Sequence, residues 1–227
     1  MKLIKFLCGF ICSLSFIFIL IISSFDLIVY GHKSFYKNAY IKYNVTNDIS
    51  MELDDILYVT DEMLDYLRGN RDNLTVYTNV DGEWREFFNS REKAHMEDVR
   101  NLFITGLQYR LYAIIFFFLS LIILLLQKTN WKYIIAKSFQ IGSLVFTTCL
   151  ALLFAIISTD FTKYFDIFHQ IFFDNDLYIL NPNTDLLINI LPEGFFIDMA
   201  TEIGIVFGIG ILLTFIISTL YVKFHKK

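Results

Sequence analysis

Four apolar runs, each near the roughly 20 helical residues needed to cross a bilayer, restrict this chain to membrane-protein folds. They lie at residues 6–29, 111–126, 139–158 and 203–221. The bilayer interior offers no water to backbone N–H and C=O groups, so such runs must satisfy themselves as helices. Composition agrees. The chain is 56% hydrophobic with a mean hydropathy of +0.53, well above an ordinary soluble domain. The second run is short, but the segment from Ser90 onward is also helix-permissive. One long helix is therefore expected to enter the bilayer from outside. The first run is not read as a cleaved signal peptide, because it exceeds the usual stretch of about 7–15 residues and no A-x-A-like site follows.

Charge orients the spans. Lys2 and Lys5 precede the first, Lys128, Lys132 and Lys137 link the second to the third, and Lys223, Lys226 and Lys227 follow the fourth. These segments contain none of the 23 Asp and Glu. The positive-inside rule then puts both termini in the cytoplasm. The expected fold is an all-α polytopic membrane protein with four transmembrane helices. Residues 1–29 form the first helix with its cytoplasmic N terminus. Residues 30–110 form a small extracytoplasmic α(+β) domain. Residues 111–158 hold the second and third helices with a short cytoplasmic link. Residues 159–202 form a partly helical extracytoplasmic or interfacial loop, and 203–227 the fourth helix and a cytoplasmic tail.

Inside the first outer segment, Ser50 is placed to cap a helix whose first turn carries Glu52, Asp54 and Asp55. Leu53, Ile56, Leu57, Met63, Leu64 and Leu67 follow helical spacing, and Gly69 stands as its stop. Residues 74–79 and 83–87 flank Asp81-Gly82, a hairpin-turn pair. Ser90 is read as the cap of the next helix. In the second outer segment, Phe161, Tyr164, Phe165, Phe168, Ile171, Phe172 and Phe173 make an aromatic run. It suits a helix in the membrane interface or a segment buried against protein.

The chemistry-bearing residues are few. Arg91, His95 and Asp98 recur at i, i+4 and i+7 and share a helix face, continued by Leu102, Thr105 and Tyr109. There Asp98 can orient His95 and raise its basicity. The same stretch also reads as an exposed helix with ion pairs such as Glu97 with Arg100, each worth only about 0.3–0.5 kcal/mol. His169 interrupts the aromatic run in the other outer segment. Two imidazoles on one side of a membrane are suited to proton transfer near neutrality. His32 and His225 lack such a setting and are read as surface residues.

Other chemistries find no support. Cys8, Cys12 and Cys149 all fall in apolar spans, so neither a disulfide framework nor a Cys–His nucleophile is expected. G-x-S-x-G, H-E-x-x-H and P-loop motifs are missing. No spacing announces a metal site, although His95, His169 and an Asp supply the right donor types. No metal and no cofactor are therefore expected. The acidic outer segments and the lack of a basic patch exclude nucleic acid as a partner.

Ala94-His95-Met96-Glu97-Asp98-Val99, Phe168-His169-x-x-Phe172-Phe173-x-Asn175, Asn181-Pro182-x-Thr184-Asp185-x-Leu187-Ile188 and Leu191-Pro192-Glu193-x-Phe195-Phe196 follow one another along the chain. Together they resemble the integral membrane lipoprotein intramolecular transacylase (Lit) family over nearly the whole chain. Tyr178 stands where that pattern leads one to look for tryptophan. The resemblance implies a multi-pass enzyme of the cell membrane of low-GC Gram-positive bacteria. Its substrates would be diacylglyceryl-modified lipoproteins held in membrane lipid. It would move an acyl chain from the glyceryl group of diacylglyceryl-cysteine to the α-amino group of the same cysteine, giving a lyso-form lipoprotein. His95 is expected as general base and His169 as proton donor or oxyanion stabiliser. Asp98, Arg91, Asn175, Tyr178 and Asp185 are weaker candidates for orienting groups or contacts to substrate oxygens. The residues alone leave two other classes open: a membrane acyl-ester hydrolase, metal-dependent or not, and a non-enzymatic sensor using residues 30–110. They say nothing of oligomeric state.

Overall fold

The computed structural model describes residues 2–127 and 130–225. Lys128, Lys226 and Lys227, three of the lysines in the charge argument, lie outside the described residues, as does the side chain of Lys2. The elements in chain order are α1 (Lys2–Gly31), α2 (Lys33–Lys42), α3 (Val45–Asp48), α4 (Leu53–Arg68), β1 (Tyr77–Val80), β2 (Glu83–Glu86), α5 (Ser90–Leu126), α6 (Trp131–Ile157), α7 (Phe161–Phe172), α8 (Leu186–Ile190) and α9 (Glu193–Phe224). Four of them, α1, α5, α6 and α9, are long and apolar enough to span a membrane. The expected continuous helix from Ser90 is α5, 37 residues long.

The chain divides into two compact units. One comprises residues 1–26, 107–159 and 201–227. Its described residues are almost all helical, and its packing depends on small side chains. Gly142 leaves the space taken by Ser13 Oγ, and Gly210 the space taken by Leu20. Ser13 Oγ donates to Ser138 O at 3.2 Å. Such close approach is how helices associate where lipid removes the hydrophobic driving force. Ile17, Phe207 and Ile211 form its buried centre. Asp26 and Arg110 make an ion pair at 3.1 Å between α1 and α5.

The other unit comprises residues 27–106 and 160–200. Helix α4 buries Ile56, Val59, Thr60, Met63, Leu64 and Leu67. Burying each large aliphatic side chain stabilises by roughly 1.5–3 kcal/mol. Tyr40 of α2 is fully buried and its hydroxyl lies 2.6 Å from Thr60 Oγ1. Thr60 Oγ1 donates to Ile56 O at 2.8 Å, so Tyr40 is the donor to Thr60. Phe195 packs its ring against Phe35, Tyr36 and Tyr40.

Local details follow the residues. Gly69 ends α4 with φ +86°, a conformation glycine adopts without penalty. Asp81 and Gly82 both have positive φ, as a two-residue hairpin of β1 and β2 requires. Two expected caps are corrected. Ser50 does not start α4. It takes a positive φ of 50° in the turn after α3, and the helix begins at Leu53 with Glu52 flanking it. Ser90 is the first helical residue of α5, and Asn89 is its cap. Asn89 Oδ1 accepts from Arg91 N at 2.9 Å and Glu92 N at 3.0 Å. Glu92 Oε2 accepts in return from Asn89 N at 2.7 Å. This reciprocal pair is a capping box.

Candidate active site

The charged beginning of α5, all of α7 and the segment after it build one site within the second unit. The first turns of α5 carry Arg91, Glu92, His95 and Asp98, ahead of that helix's apolar stretch. Asp160 caps α7, its Oδ1 accepting from Lys163 N at 3.1 Å. His169 stands in the last turn of α7.

The two histidines expected from sequence meet. Their ring centroids are 5.9 Å apart. His169 Nδ1 lies 2.7 Å from the carbonyl oxygen of Phe165, one helical turn back. A carbonyl only accepts, so Nδ1 carries the hydrogen and the neutral ring keeps its lone pair on Nε2. The His169 ring stacks on Tyr178 at 4.7 Å and 20°. The edges of Phe165, at 4.5 Å, and Phe168, at 5.5 Å, close around it. His95 is buried and meets Phe173 edge-on at 5.5 Å. Its Nδ1 is buried without a hydrogen-bond partner among the described residues.

Both imidazoles favour the neutral form. His95 is pushed down to about 4, first by burial, then by neighbouring His169, with the Asp98 charge opposing and Arg91 adding a smaller push down. His169 is also lowered by burial, against the opposing pull of the Phe165 carbonyl and Asp166.

The weaker candidates lie around the pair, and most bind protein groups. Asp98 Oδ2 accepts from Asn175 Nδ2 at 2.9 Å. Asn175 Oδ1 accepts from Leu177 N at 3.0 Å, closing a local turn. Arg91 donates to the carbonyl oxygens of Asp176 and, at 3.3 Å, of Ile179. Arg91 thus holds the strip of chain that presents Tyr178 to His169. Asp185 is buried. It accepts from Asn181 N at 2.7 Å, Asn89 Nδ2 at 2.8 Å and Thr184 Oγ1 at 3.1 Å. Burial pushes its carboxyl up, but these bonds outweigh that and leave it below the usual range.

Glu92 was not singled out from the sequence. It is fully buried, and its Oε1 accepts from Leu187 N at 2.6 Å. Burial raises its pKa against the pull of the Leu187 and Asn89 N–H groups. The signal was present as Asn89-Ser-Arg-Glu92, an N-cap residue with Glu three positions on. Among the described residues, no group of three or more His, Cys, Asp or Glu is placed to hold a metal ion. His32 packs beside Phe35, and His225 stacks on Tyr221 at 4.2 Å.

Four apolar helices and an imidazole pair on polar segments, His95 buried and His169 half-buried, define an integral membrane protein with a site suited to proton transfer. The model of the lipoprotein intramolecular transacylase Lit family matches residues 10–196, and the chain belongs to that family. Every candidate site residue falls inside the match. The chain is similar to the solved membrane integral lipoprotein intramolecular transacylase Lit from Bacillus cereus. That likeness has 23% identity and a TM-score of 0.78, covering 100% of this chain and 99% of that one. Two variants of the Bacillus cereus protein, with a histidine replaced by arginine or by alanine, match at 24% identity and a TM-score of 0.76. They cover 98% of this chain and 93% and 95% of theirs. These likenesses show the fold. Comparison with curated proteins found no match.

Proposed function

We propose that this chain moves one acyl chain of a lipoprotein's diacylglyceryl-cysteine from a glyceryl oxygen to the α-amino nitrogen of the same cysteine. The observation that carries this reading is the His95–His169 pair, 5.9 Å apart, with His169 Nε2 left free by the bond of Nδ1 to Phe165 O. The attacking amine belongs to the substrate, so the protein needs no nucleophile of its own. Its ammonium form has a pKa of about 7.7–8.0, so neutral amine is available near neutrality. The neutral amine attacks the ester carbonyl, and His169 Nε2 takes the proton that its nitrogen sheds as the new bond forms. The C–N bond forms, the C–O bond breaks, and the departing glyceryl oxygen receives the proton.

His95 stays neutral and donates a hydrogen bond to the oxygen that gains charge, or passes the proton on. This exchanges the roles first expected from sequence. It is supported by the locked tautomer of His169 and by the stronger preference of His95 for its neutral form. Asp98 adjusts His95 through charge, and Arg91, Asn175 and Asp185 hold the strip carrying Tyr178. Ester to amide runs downhill and consumes no nucleotide. Both reacting groups sit on one molecule, so holding them together supplies much of the rate. The segregated lysines favour cytoplasmic termini and a site on the extracytoplasmic side, where membrane-anchored lipoproteins are found.

The test is mass spectrometry of a lipoprotein's N-terminal lipopeptide from cells with and without this chain. An intramolecular shift leaves the total mass unchanged and creates an N-acyl fragment. Loss of one acyl mass with release of free fatty acid would replace this reading by ester hydrolysis.

A further inference from the structure

Helix α7 presents a continuous row of aromatic rings beside the histidine pair. Phe161 stacks on Phe165 at 5.3 Å, Phe165 on Phe168 at 6.3 Å, and Phe168 meets Phe172 at 4.7 Å. Their spacing of four, three and four residues puts all four on one stripe of the helix. None of the residues of α7 is buried, and Phe168 and Phe172 are 38% and 51% exposed. The row is not separate from the chemistry, because Phe165 and Phe168 both meet the His169 ring edge-on. Anchoring a helix at a membrane surface would account for exposed phenylalanines. It does not require half-buried Phe165 and exposed Phe168 to enclose the imidazole.

We propose that this row is the seat of the migrating acyl chain. The proposal rests on the transacylase reading, because the ester carbonyl attacked near His169 must carry its hydrocarbon tail along an adjoining apolar surface. From His169 the row continues roughly 12 Å toward Phe161 and only about 4.5 Å toward Phe172. The tail therefore runs toward Phe161, which its terminal methylenes reach only when the chain is long. Phe161 then sets the length preference without touching the reacting atoms. Each methylene laid on the row raises kcat/KM by roughly twofold to fourfold until the chain passes Phe161.

The experiment measures acyl transfer by the full-length protein on diacylglyceryl-cysteinyl peptides with a graded series of acyl lengths. Phe161→Ala leaves short-chain substrates unchanged and lowers kcat/KM for long-chain ones by roughly tenfold. Phe161→Leu restores most of that loss. Equal loss at every length means the row only anchors α7, and no change at any length means the tail lies elsewhere. Either result overturns the proposal. A second measurement needs no variant: a substrate with a diazirine at its acyl terminus crosslinks to peptides of α7. Crosslinks found only outside α7 also overturn it. An unmodified protein that forms no N-acyl product at any length overturns the transacylase reading and the seat with it, and this is seen before any variant is compared.

Discussion

Glu92 and Leu187 are joined across the sequence by a buried bond of 2.6 Å, from the Leu187 N–H to the Glu92 carboxylate. The other carboxylate oxygen caps its own helix at Asn89. One side chain therefore fastens the start of α5, one turn before His95, to the start of α8. Replacing Glu92 with alanine leaves two backbone N–H groups without their charged acceptor. Bonds to charged groups contribute about 1.5–3 kcal/mol each, so Glu92→Ala is expected to destabilise the second unit by roughly 3 kcal/mol or more. Glu92→Gln keeps one acceptor oxygen and should cost about half as much. Hydrogen exchange reads this directly: the Leu187 amide should lose protection in Glu92→Ala. Unchanged protection there would show that the bond contributes nothing.

How far the site was legible depended on what each residue advertises. His95 and His169 stood out because imidazoles are rare in a chain so rich in apolar residues, and the structure brings them together. The partners were harder. Spacing put Asp98 on the His95 face, yet its carboxylate is bonded by Asn175, 77 positions further on. Helical periodicity describes one helix and carries no information about which distant loop folds over it. Glu92 looked like one more surface acid among 23, and only tertiary packing buries it. Helix α2 went unnoticed because its sequence is polar on average. Its four buried residues, Phe35, Tyr36, Ala39 and Tyr40, lie on the stripe that meets the core. The spans were the plainest part, since a run of about 20 apolar residues has few alternatives to a membrane helix.

Orientation can be tested by labelling. With Cys8, Cys12 and Cys149 replaced, single cysteines at Asn70 and Asn183 are expected to react with an impermeant thiol reagent on intact protoplasts. A cysteine at Asn130, between α5 and α6, is expected to react only after the membrane is opened. Reaction at Asn130 alone would invert the topology and put the histidines in the cytoplasm.

The pH dependence follows from the depressed imidazoles. The working state has both rings neutral and the substrate amine unprotonated. Activity should fall with pH first as the amine gains its proton, near 7.7–8.0. The fall should steepen again where the histidines titrate, below the ordinary value of 6.5. The Asp98 charge raises the His95 pKa, so Asp98→Asn should move that contribution to still lower pH. Stability has its own signature. Between about 4 and 6.5 the unfolded chain protonates His95 and the native chain does not. The unfolded state then binds more protons, so stability falls as pH falls through this window. The loss begins near 6.5 and is complete below about 4. His95→Gln removes its share, and thermal unfolding across that range should be less acid-sensitive in the variant. A midpoint equally acid-sensitive in both proteins would rule out a depressed His95.

The two histidines give the sharpest test. A general acid or base contributes about 10²–10⁴-fold, so His95→Ala and His169→Ala should each lose activity by that order while the protein still inserts and folds. Rings 5.9 Å apart on one proton path act as a unit, and losses within a unit do not add. The double variant should therefore be little worse than either single one. His32→Ala and His225→Ala should stay close to the parent, because their ring contacts are with Phe35 and Tyr221. The locked tautomer allows a finer distinction. If His169 is the base, His169→Gln should fail as badly as alanine, since an amide does not take up a proton near neutrality. His95→Gln should retain more activity than His95→Ala, because its NH₂ group still donates to the charged oxygen. The reverse ranking of the two glutamine variants would return the base to His95. A folded His95→Ala protein working at the normal rate would remove His95 from the mechanism altogether.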